Sequence, residues 1–139
     1  MNSTIREIDA RDTYAIRHEA MWPVKPLEFV HLDNDEEGTH FGLFRDSILL
    51  AVVSLFITGN QAQFRKLATK TSEQGNGYGT LLLKHLIIYV SNEKQVIRLW
   101  CNARVDKTDF YKKFGMAETS KTFGKAGMNY VIMDKFFKS

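Results

Sequence analysis

One stretch, LATKTSEQGNGYG at residues 67–79, decides the fold expected of this 139-residue chain. It follows a strand-like run, passes through a glycine-rich turn and enters a segment, residues 78 to about 91, whose apolar side chains recur at helical spacing. A helix start presents unpaired backbone N–H groups and the positive end of the helix dipole, and glycines let an anion approach the backbone closely. The stretch therefore predicts a phosphate-binding turn at the start of a helix.

The segments on either side of this stretch predict a mixed sheet. Three strand-like runs occupy residues 39–69 and are separated by short turn sequences at 46–47 and 58–60, which indicates an antiparallel meander. Residues 95–103 are apolar on both alternating faces, as in a central strand covered on both sides, and we expect this strand to run parallel to residues 61–69.

The two ends of the chain complete the expected order of elements. Residues 5–8 predict a first strand, and Asp12 is a candidate N-cap for a helix through Ala20 that Trp22, Pro23 and Pro26 end. The polar run 33–38 is typical of a loop or partial helix over the surface, and we consider it a candidate lid. Residues 106–114 predict a short helix closed by Gly115, and residues 125–127 predict the turn of a C-terminal hairpin. We expect a single α/β domain over residues 1–139.

Composition narrows the classes of partner and compartment. The net charge of +3 comes from cations mixed with acids along the chain, which suits a phosphorylated small molecule better than a nucleic acid. Cys101 is the sole cysteine, which excludes an intrachain disulfide and favours a cytoplasmic location. The N-terminal residues lack the apolar core of a signal peptide, and no apolar run approaches the ~18 residues that span a bilayer, so we expect no membrane partner.

A phosphate-binding turn alone does not identify its ligand, because nucleotide and dinucleotide sites use the same physics. The Walker ending Gly-Lys-Ser/Thr is absent, and the turn follows a meander in mid-chain rather than the early strand of a Rossmann fold. The spacing of Gln74, Gly77 and Gly79 instead resembles the Gln/Arg-x-x-Gly-x-Gly/Ala signature of the GNAT acetyltransferases. Residues 110–116 resemble the family's Phe-Tyr-x-x-x-Gly-Phe helix, with Met116 in place of the final Phe.

The resemblance implies a single-domain GNAT-type α/β fold that binds acetyl-CoA. Strands 61–69 and 95–103 would splay apart, and the pantetheine arm would lie between them as an added strand. The residues implied in cofactor binding are Leu67, Ala68, Thr69, Gln74, Gly75, Asn76, Gly77, Tyr78, Gly79, Asn102 and Lys113.

Tyr111 is the residue that the resemblance assigns to catalysis. A phenol with a reference pKa of about 10 stays protonated at neutral pH and can donate to a departing thiolate. The sequence pattern alone is equally consistent with Tyr111 being an aromatic residue that packs in the wall of the cleft. Lys112 is read as a solvated charge, and Lys113 is left open between phosphate contact and solvated charge.

The acceptor pocket is expected around the first helix and the loop that follows it, at Arg17, His18, Trp22 and His31. Arg17 could pair with a substrate carboxylate or with a nearby acid of the protein, and Trp22 could line the pocket or pack in the core. Residues 61–69 contain no acid, so the candidates for a general base are Glu19, His18, His31 and His40. Cys101 lies in the apolar strand, where a thiol behaves as a buried hydrophobe, so we do not expect an acyl-enzyme.

These observations predict an acetyl-CoA-dependent N-acetyltransferase that transfers the acetyl group directly to a primary amine of a small molecule or peptide. We expect no metal, and exposed strand edges in the hairpin would allow a homodimer. Two alternatives stay open: an inactive acyl-CoA-binding sensor with the same fold, and a module that binds a nucleotide or nucleic acid through the same turn.

Overall fold

The computed structural model describes residues 3–137, which form a seven-stranded mixed sheet with helices on both faces. The order of strands in the sheet is β1-β2-β3-β4-β5-β7-β6. In chain order the elements are β1 (Ser3–Ile8), α1 (Tyr14–Met21), β2 (Thr39–Arg45), β3 (Ile48–Thr58), β4 (Gln61–Thr69), α2 (Tyr78–Ser91), β5 (Arg98–Arg104), α3 (Thr108–Lys112), β6 (Ala117–Lys125) and β7 (Met128–Phe136). Short 3₁₀ turns occupy Ala10–Thr13, Leu27–Val30, Asp35–Glu37, Thr71–Glu73 and Val105–Lys107.

Strands β2 to β4 form the predicted antiparallel meander, and β1 extends it by pairing antiparallel with β2. The turn at Asp46 and Ser47 places both residues in the left-handed backbone region, with φ of 53° and 69°. Gly59 has a φ of 60° in the next turn. Both connections are therefore tight turns between neighbouring strands, as the turn residues predict.

The parallel pairing of β4 with β5 is confirmed, and it covers only three pairs, from Gln61↔Arg98 to Gln63↔Trp100. Beyond those pairs β5 pairs only with β7, so the C-terminal half of β4 has an edge without a partner strand among residues 3–137. A cleft opens between the two strands at this point.

Strand β5 differs from its prediction at its start and in its burial. It begins at Arg98 rather than at residue 95, because the N–H of Val96 is bonded to the carbonyl of Glu93 in a turn. Its side chains alternate between buried and half-buried, so one face packs in the core while the other is only partly covered. The apolar residues on both faces therefore overstated the covering of the second face.

The first helix begins differently from its prediction. Asp12 lies inside the 3₁₀ turn Ala10–Thr13, and its carboxylate accepts a hydrogen bond from the N–H of Asp9 at 3.1 Å. It stabilises the start of that turn rather than capping α1, which begins two residues later at Tyr14. The helix ends at Met21, before Trp22 and the prolines, as predicted.

The two helices that position the site lie on opposite faces of the sheet. Helix α2 buries one apolar stripe against strands β2 to β5. That stripe consists of Leu82, Leu83, Leu86 and Val90. Helix α1 covers the other face through Ile16, which packs with Val52 and Ala68. Strand β4 is therefore covered by a helix on each face of the sheet.

The C-terminal part of the chain follows its prediction. After α3, the N–H groups of Gly115 and Met116 are bonded to the carbonyls of Lys112 and Tyr111 at 3.0 and 3.4 Å, a Schellman closure with Gly115 at φ 85°. Met116, in the place where the family motif has Phe, is 3% exposed and packs in the core. Ala126 and Gly127 form the hairpin turn between β6 and β7. No helix within residues 3–137 has the length and apolarity to cross a bilayer.

Candidate active site

A cleft of about 640 Å³ lies where β4 and β5 diverge. The start of α2 and the turn before it line one end of this cleft, and the aromatic rings of Phe64 and Tyr111 line its middle. The C-terminal end of α1 and residues of β7 complete the walls. The residues of the cleft come from segments distant in sequence, so only the tertiary fold assembles them.

The turn before α2 has the backbone geometry of an anion site. Gly75 and Gly77 have φ of 89° and 82°, a region that costs other residues conformational energy. Gly77 is the N-cap of the 14-residue α2, and no side chain within residues 3–137 caps it. The N–H groups of Tyr78, Gly79 and Thr80 therefore lack hydrogen-bond partners in this part of the chain. They lie at the positive end of the helix dipole.

A second layer of contacts holds this turn. The Arg45 guanidinium lies 3.2 Å from the carboxylate of Glu73 and donates a 2.6 Å hydrogen bond to the hydroxyl of Tyr78. The side-chain amide of Gln74 donates to the carbonyl of Thr69 at 3.3 Å. The turn is tied to β2 and to the end of β4, which fixes the start of α2 relative to the cleft.

The unpaired edge of β4 presents backbone groups to the cleft. The N–H of Lys70 donates to the carbonyl of Leu50 on the β3 side at 2.8 Å. Because N–H directions alternate along a strand, that of Thr69 points away from β3, toward the cleft, and Leu67 also lines the cleft along this edge. This edge can accept an amide-bearing chain by strand addition.

Tyr111 lies in the middle of the cleft, on α3. Its ring is 5.8 Å from that of Phe64 and 5.1 Å from that of Phe110, between centroids. Burial, together with the nearby Cys101, raises the pKa of the Tyr111 phenol well above its ordinary value, and Arg104 opposes this only in part. The phenol therefore stays protonated throughout the neutral and mildly alkaline range, as a hydrogen-bond donor requires.

Cys101 and Asn102 come from the end of β5, and both line the cleft. Cys101 is 2% exposed, and burial raises the pKa of its thiol to about 12. A thiol in that state is a poor nucleophile. The geometry thus supports the expectation that no acyl-enzyme forms on Cys101.

Arg17 does not line the cleft, which corrects its assignment to the acceptor pocket. Its side chain is fully buried and binds both carboxylate oxygens of Asp35 at 2.9 Å, with further hydrogen bonds to the Val30 carbonyl and the Ser54 hydroxyl. Burial is the largest single effect and opposes the ionisation of Asp35, but the hydrogen bonds from Arg17 and from the N–H of Leu32, together with the charge of Arg17, outweigh it and lower the pKa of that carboxyl. The acid lies 18 residues away in the sequence, so local pattern could not reveal this pair.

The histidines also lie outside the cleft lining. The Nε2 of His18 lies 2.6 Å from the carbonyl of Lys25, and the ring of His31 stacks on that of Tyr14 at 3.9 Å. His40 is buried between the Ser54 hydroxyl and the Asp35 carbonyl. None of these imidazoles is placed to deprotonate an acceptor in the cleft.

Glu19 and Trp22 lie near the end of α1. The carboxylate of Glu19 accepts a 2.6 Å hydrogen bond from the N–H of Thr71, which lowers its pKa and makes it a weaker base. Trp22 does line the cleft, and its ring packs edge-on against Phe29. Of the four residues predicted for the acceptor pocket, Trp22 is the one that lines the cleft.

Two residues assigned to the cofactor also lie outside the cleft lining. Asn76 donates to Glu73 at 3.3 Å, within the turn itself. Lys113 is exposed and follows α3 directly, as its C-cap. Lys112 forms an exposed ion pair with Glu118 at 2.9 Å, in agreement with its interpretation as a solvated charge.

The cleft contains residues that sequence reasoning missed. They include Arg65 and Lys66 on β4, Arg104 at the end of β5, Lys107 after that strand, and Met128 and Tyr130 on β7. Arg104 and Lys107 could have been suspected because they follow Asn102 closely. The others had no local signal, since a β-bulge in β4 and the return of β7 place them in the cleft.

The comparisons with known proteins agree with this geometry. The profile of the acetyltransferase (GNAT) domain matches residues 23–137 of the chain. The chain is 29% identical over 145 residues to the uncharacterized N-acetyltransferase YitI of Bacillus subtilis (strain 168), and the match covers 97% of each protein.

Solved structures show the same fold. An acyl-CoA N-acyltransferase from Pseudomonas aeruginosa superposes with a TM-score of 0.81 at 15% identity, over 96% of this chain and 99% of the other. A GNAT family acetyltransferase from Elizabethkingia anophelis, crystallised with acetyl-CoA bound, gives a TM-score of 0.75 at 17% identity, over 98% of this chain and 99% of the other.

The fold and the cleft define an acyltransferase, and the profile match over most of the chain shows that the protein belongs to the GNAT acetyltransferase family. It is an N-acetyltransferase homologue of a family that uses acetyl-CoA. The resemblance drawn from the turn and from the Phe110 to Met116 helix is thereby confirmed.

Proposed function

We propose that the protein binds acetyl-CoA in the cleft and transfers the acetyl group directly to a primary amine of a small molecule or peptide. The observation that supports this most is the continuity of the cleft. It runs from the uncapped start of α2, along the unpaired edge of β4, to the phenol of Tyr111. A diphosphate, an amide-bearing arm and a thioester require these three features in that order.

Different residues bind the cofactor and stabilise its leaving thiolate. Backbone N–H groups of residues 77–80 hold the diphosphate, and those of Leu67 and Thr69 hold the amide-bearing arm. When bound, acetyl-CoA supplies an activated acetyl group. Tyr111 donates a hydrogen bond to the departing thiolate and keeps its own proton because its pKa is raised, so the thiolate takes its proton from solvent after it leaves.

The acceptor amine loses its proton to solvent in this proposal. Glu73 is the only acid lining the cleft within residues 3–137, and it is paired with Arg45. The enzyme then acts on the unprotonated fraction of the amine, and much of the acceleration comes from holding the two reactants together. The rate should therefore rise with pH toward the pKa of the acceptor.

The test combines binding with product analysis. Calorimetry should show CoA binding that is not displaced by excess ATP, NAD or oligonucleotide. Incubation with acetyl-CoA and a panel of primary amines should release free thiol together with an acetylated amine seen by mass spectrometry. Tight CoA binding without any product would favour the sensor, and indifference to CoA would refute the proposal.

A further inference from the structure

Arg65 and Lys66 lie at an irregularity in β4. Val52 pairs with Ala68 and Ser54 with Arg65, so two residues of β4, 66 and 67, lie opposite one residue of β3. This is a β-bulge, and Lys66 occupies it in the left-handed region with φ 58°. Bulges re-aim side chains near functional sites, and here two consecutive cations line the same cleft.

Neither cation has an anionic partner in the described part of the chain. Arg17, Arg45, Arg98 and Arg104 each lie within 4 Å of a carboxylate, whereas Arg65 and Lys66 form no ion pair and no side-chain hydrogen bond among residues 3–137. Both are only partly exposed. Asp35, an acid close enough to influence them, already has both oxygens bound by Arg17.

The positive charges of Arg65 and Lys66 also repel each other. Burial, followed by the charges of Arg65, Lys125 and Arg17, lowers the pKa of Lys66 to about 8, and Asp35 opposes this only in part. Burial likewise lowers the pKa of Arg65, followed by the charge of Arg17. A bound anion would relieve both effects at once, because it supplies the missing opposite charge.

This positive site is separate from the proposed diphosphate site. Lys66 lies three residues before Thr69, or about 10 Å along the strand, and the glycine turn begins only after Thr69 and Lys70. Trp22, Met128 and Tyr130 line the same cleft and give it apolar surface. An anion at Arg65 and Lys66 would therefore belong to the second substrate rather than to the phosphates.

We propose that the acceptor is an amine that carries a carboxylate, and that Arg65 and Lys66 bind this carboxylate. The inference rests on the proposed acetyl transfer and adds to it the chemical class of the acceptor, an amino acid-like small molecule. Trp22, Met128 and Tyr130 contact its carbon chain. Arg65 and Lys66 are positioned by the bulge to select this anion.

Matched acceptor pairs test this inference. β-Alanine and γ-aminobutyrate are each compared with their carboxamides, at equal concentrations of unprotonated amine, by thiol release. We expect kcat/KM to be about ten-fold or more higher for the carboxylates, as for a charge-assisted contact. Carboxamides that react as well as the carboxylates in the unaltered enzyme would overturn the inference.

The preference is the ratio of kcat/KM for the carboxylate to kcat/KM for its carboxamide. The variants Arg65→Gln and Lys66→Gln should each lower this ratio toward one. Because the preference is a ratio within one variant, a general loss of active enzyme cancels. Lys66→Arg should preserve it. Lys84→Gln removes an exposed charge on α2, outside the cleft, and should leave it unchanged. A preference that persists in both glutamine variants would show that other groups bind the acceptor.

A binding measurement separates this inference from the transfer itself. N-acetyl-β-alanine and its carboxamide are titrated into the CoA-loaded protein, and we expect tighter binding of the carboxylate that Arg65→Gln abolishes. If no amine is acetylated but this difference is found, the transfer proposal fails and the carboxylate site stands. If both bind equally while amines are acetylated, the transfer stands and the carboxylate site is refuted.

Discussion

At the scale of single residues, Tyr111 carries the clearest kinetic prediction. Tyr111→Phe keeps the ring that packs on Phe64 and Phe110 but removes the hydroxyl. Loss of the hydrogen bond to the thiolate should lower kcat about 100-fold while the Kd for CoA stays nearly constant. Steady-state kinetics and calorimetry on the same preparation measure both quantities.

The pH dependence gives this prediction a second readout. Because burial raises the pKa of Tyr111, its ionisation should cause no loss of kcat in the unaltered enzyme up to about pH 9. Tyr89→Phe, on α2 and outside the cleft lining, is the matched control and should leave kcat unchanged. Full turnover by Tyr111→Phe across this pH range would show that Tyr111 only packs in the cleft.

At the scale of elements, two glycines at the start of α2 separate folding from binding. Gly77 has φ 82°, so Gly77→Ala should cost about 1–2 kcal/mol of folding free energy. Gly79 is helical, and a Cβ there would meet only Phe110 at 3.9 Å, so Gly79→Ala should preserve or increase stability. Urea unfolding measures both effects.

Gly79 also tests the phosphate site. Gly79→Asp places a carboxylate in the first turn of α2, where the proposed diphosphate approaches the backbone, and should weaken CoA binding by at least about ten-fold. Gly79→Ala is the matched control and should bind CoA normally, because the family signature allows Ala at this position. Unchanged CoA affinity in a stably folded Gly79→Asp protein, measured by calorimetry, would place the diphosphate elsewhere.

At the scale of the whole molecule, the Arg17–Asp35 pair joins α1, the turn Asp35–Glu37 and β3 through Ser54. Arg17→Met leaves the buried Asp35 without its partner and should reduce the free energy of unfolding by about 3–5 kcal/mol. Replacing both residues, as Arg17→Met with Asp35→Leu, should recover part of that loss because no charge stays buried. Urea unfolding of the two variants at pH 7 compares them.

The acid stability of the protein should depend on the same pair. The folded-state pKa of Asp35 is lowered, so its contribution is fully present above the unfolded pKa of about 4 and is lost as the pH falls toward the folded value. The double variant should show less acid destabilisation below about pH 4 than the unaltered protein. Equal acid profiles in the two proteins would contradict this assignment.

Ligand binding should stabilise the whole molecule through the cleft. At a concentration 100-fold above its Kd, CoA should add about 2.7 kcal/mol to the free energy of unfolding. Hydrogen exchange should slow most at Leu67 and Thr69 and at the start of α2, which the proposal places against the bound cofactor. Amides of β1, at an outer edge of the sheet, are the internal control and should slow by no more than the global stabilisation requires.

The sequence by itself determined the elements and their order. Local periodicity and turn residues gave the bounds of β2, β3, β4 and α2, and Gly115 gave the end of α3, because these signals act over a few neighbouring residues. Motif spacing identified the family and brought Gln74, Gly77, Gly79 and Tyr111 to one cleft. The predictions of Asp12 as the N-cap of α1 and of residue 95 as the start of β5 were wrong, because nearby hydrogen bonds form turns at both places.

Only the tertiary structure decided which charged groups face the cleft. Arg17, expected at the substrate, is bound by Asp35 across 18 residues and by Ser54 across 37. Arg65 and Lys66, which the strand pattern treats as ordinary alternating residues, enter the cleft through a bulge opposite β3. The physical reason is that a side chain's partner and direction depend on contacts between distant segments, which periodicity along the chain does not record.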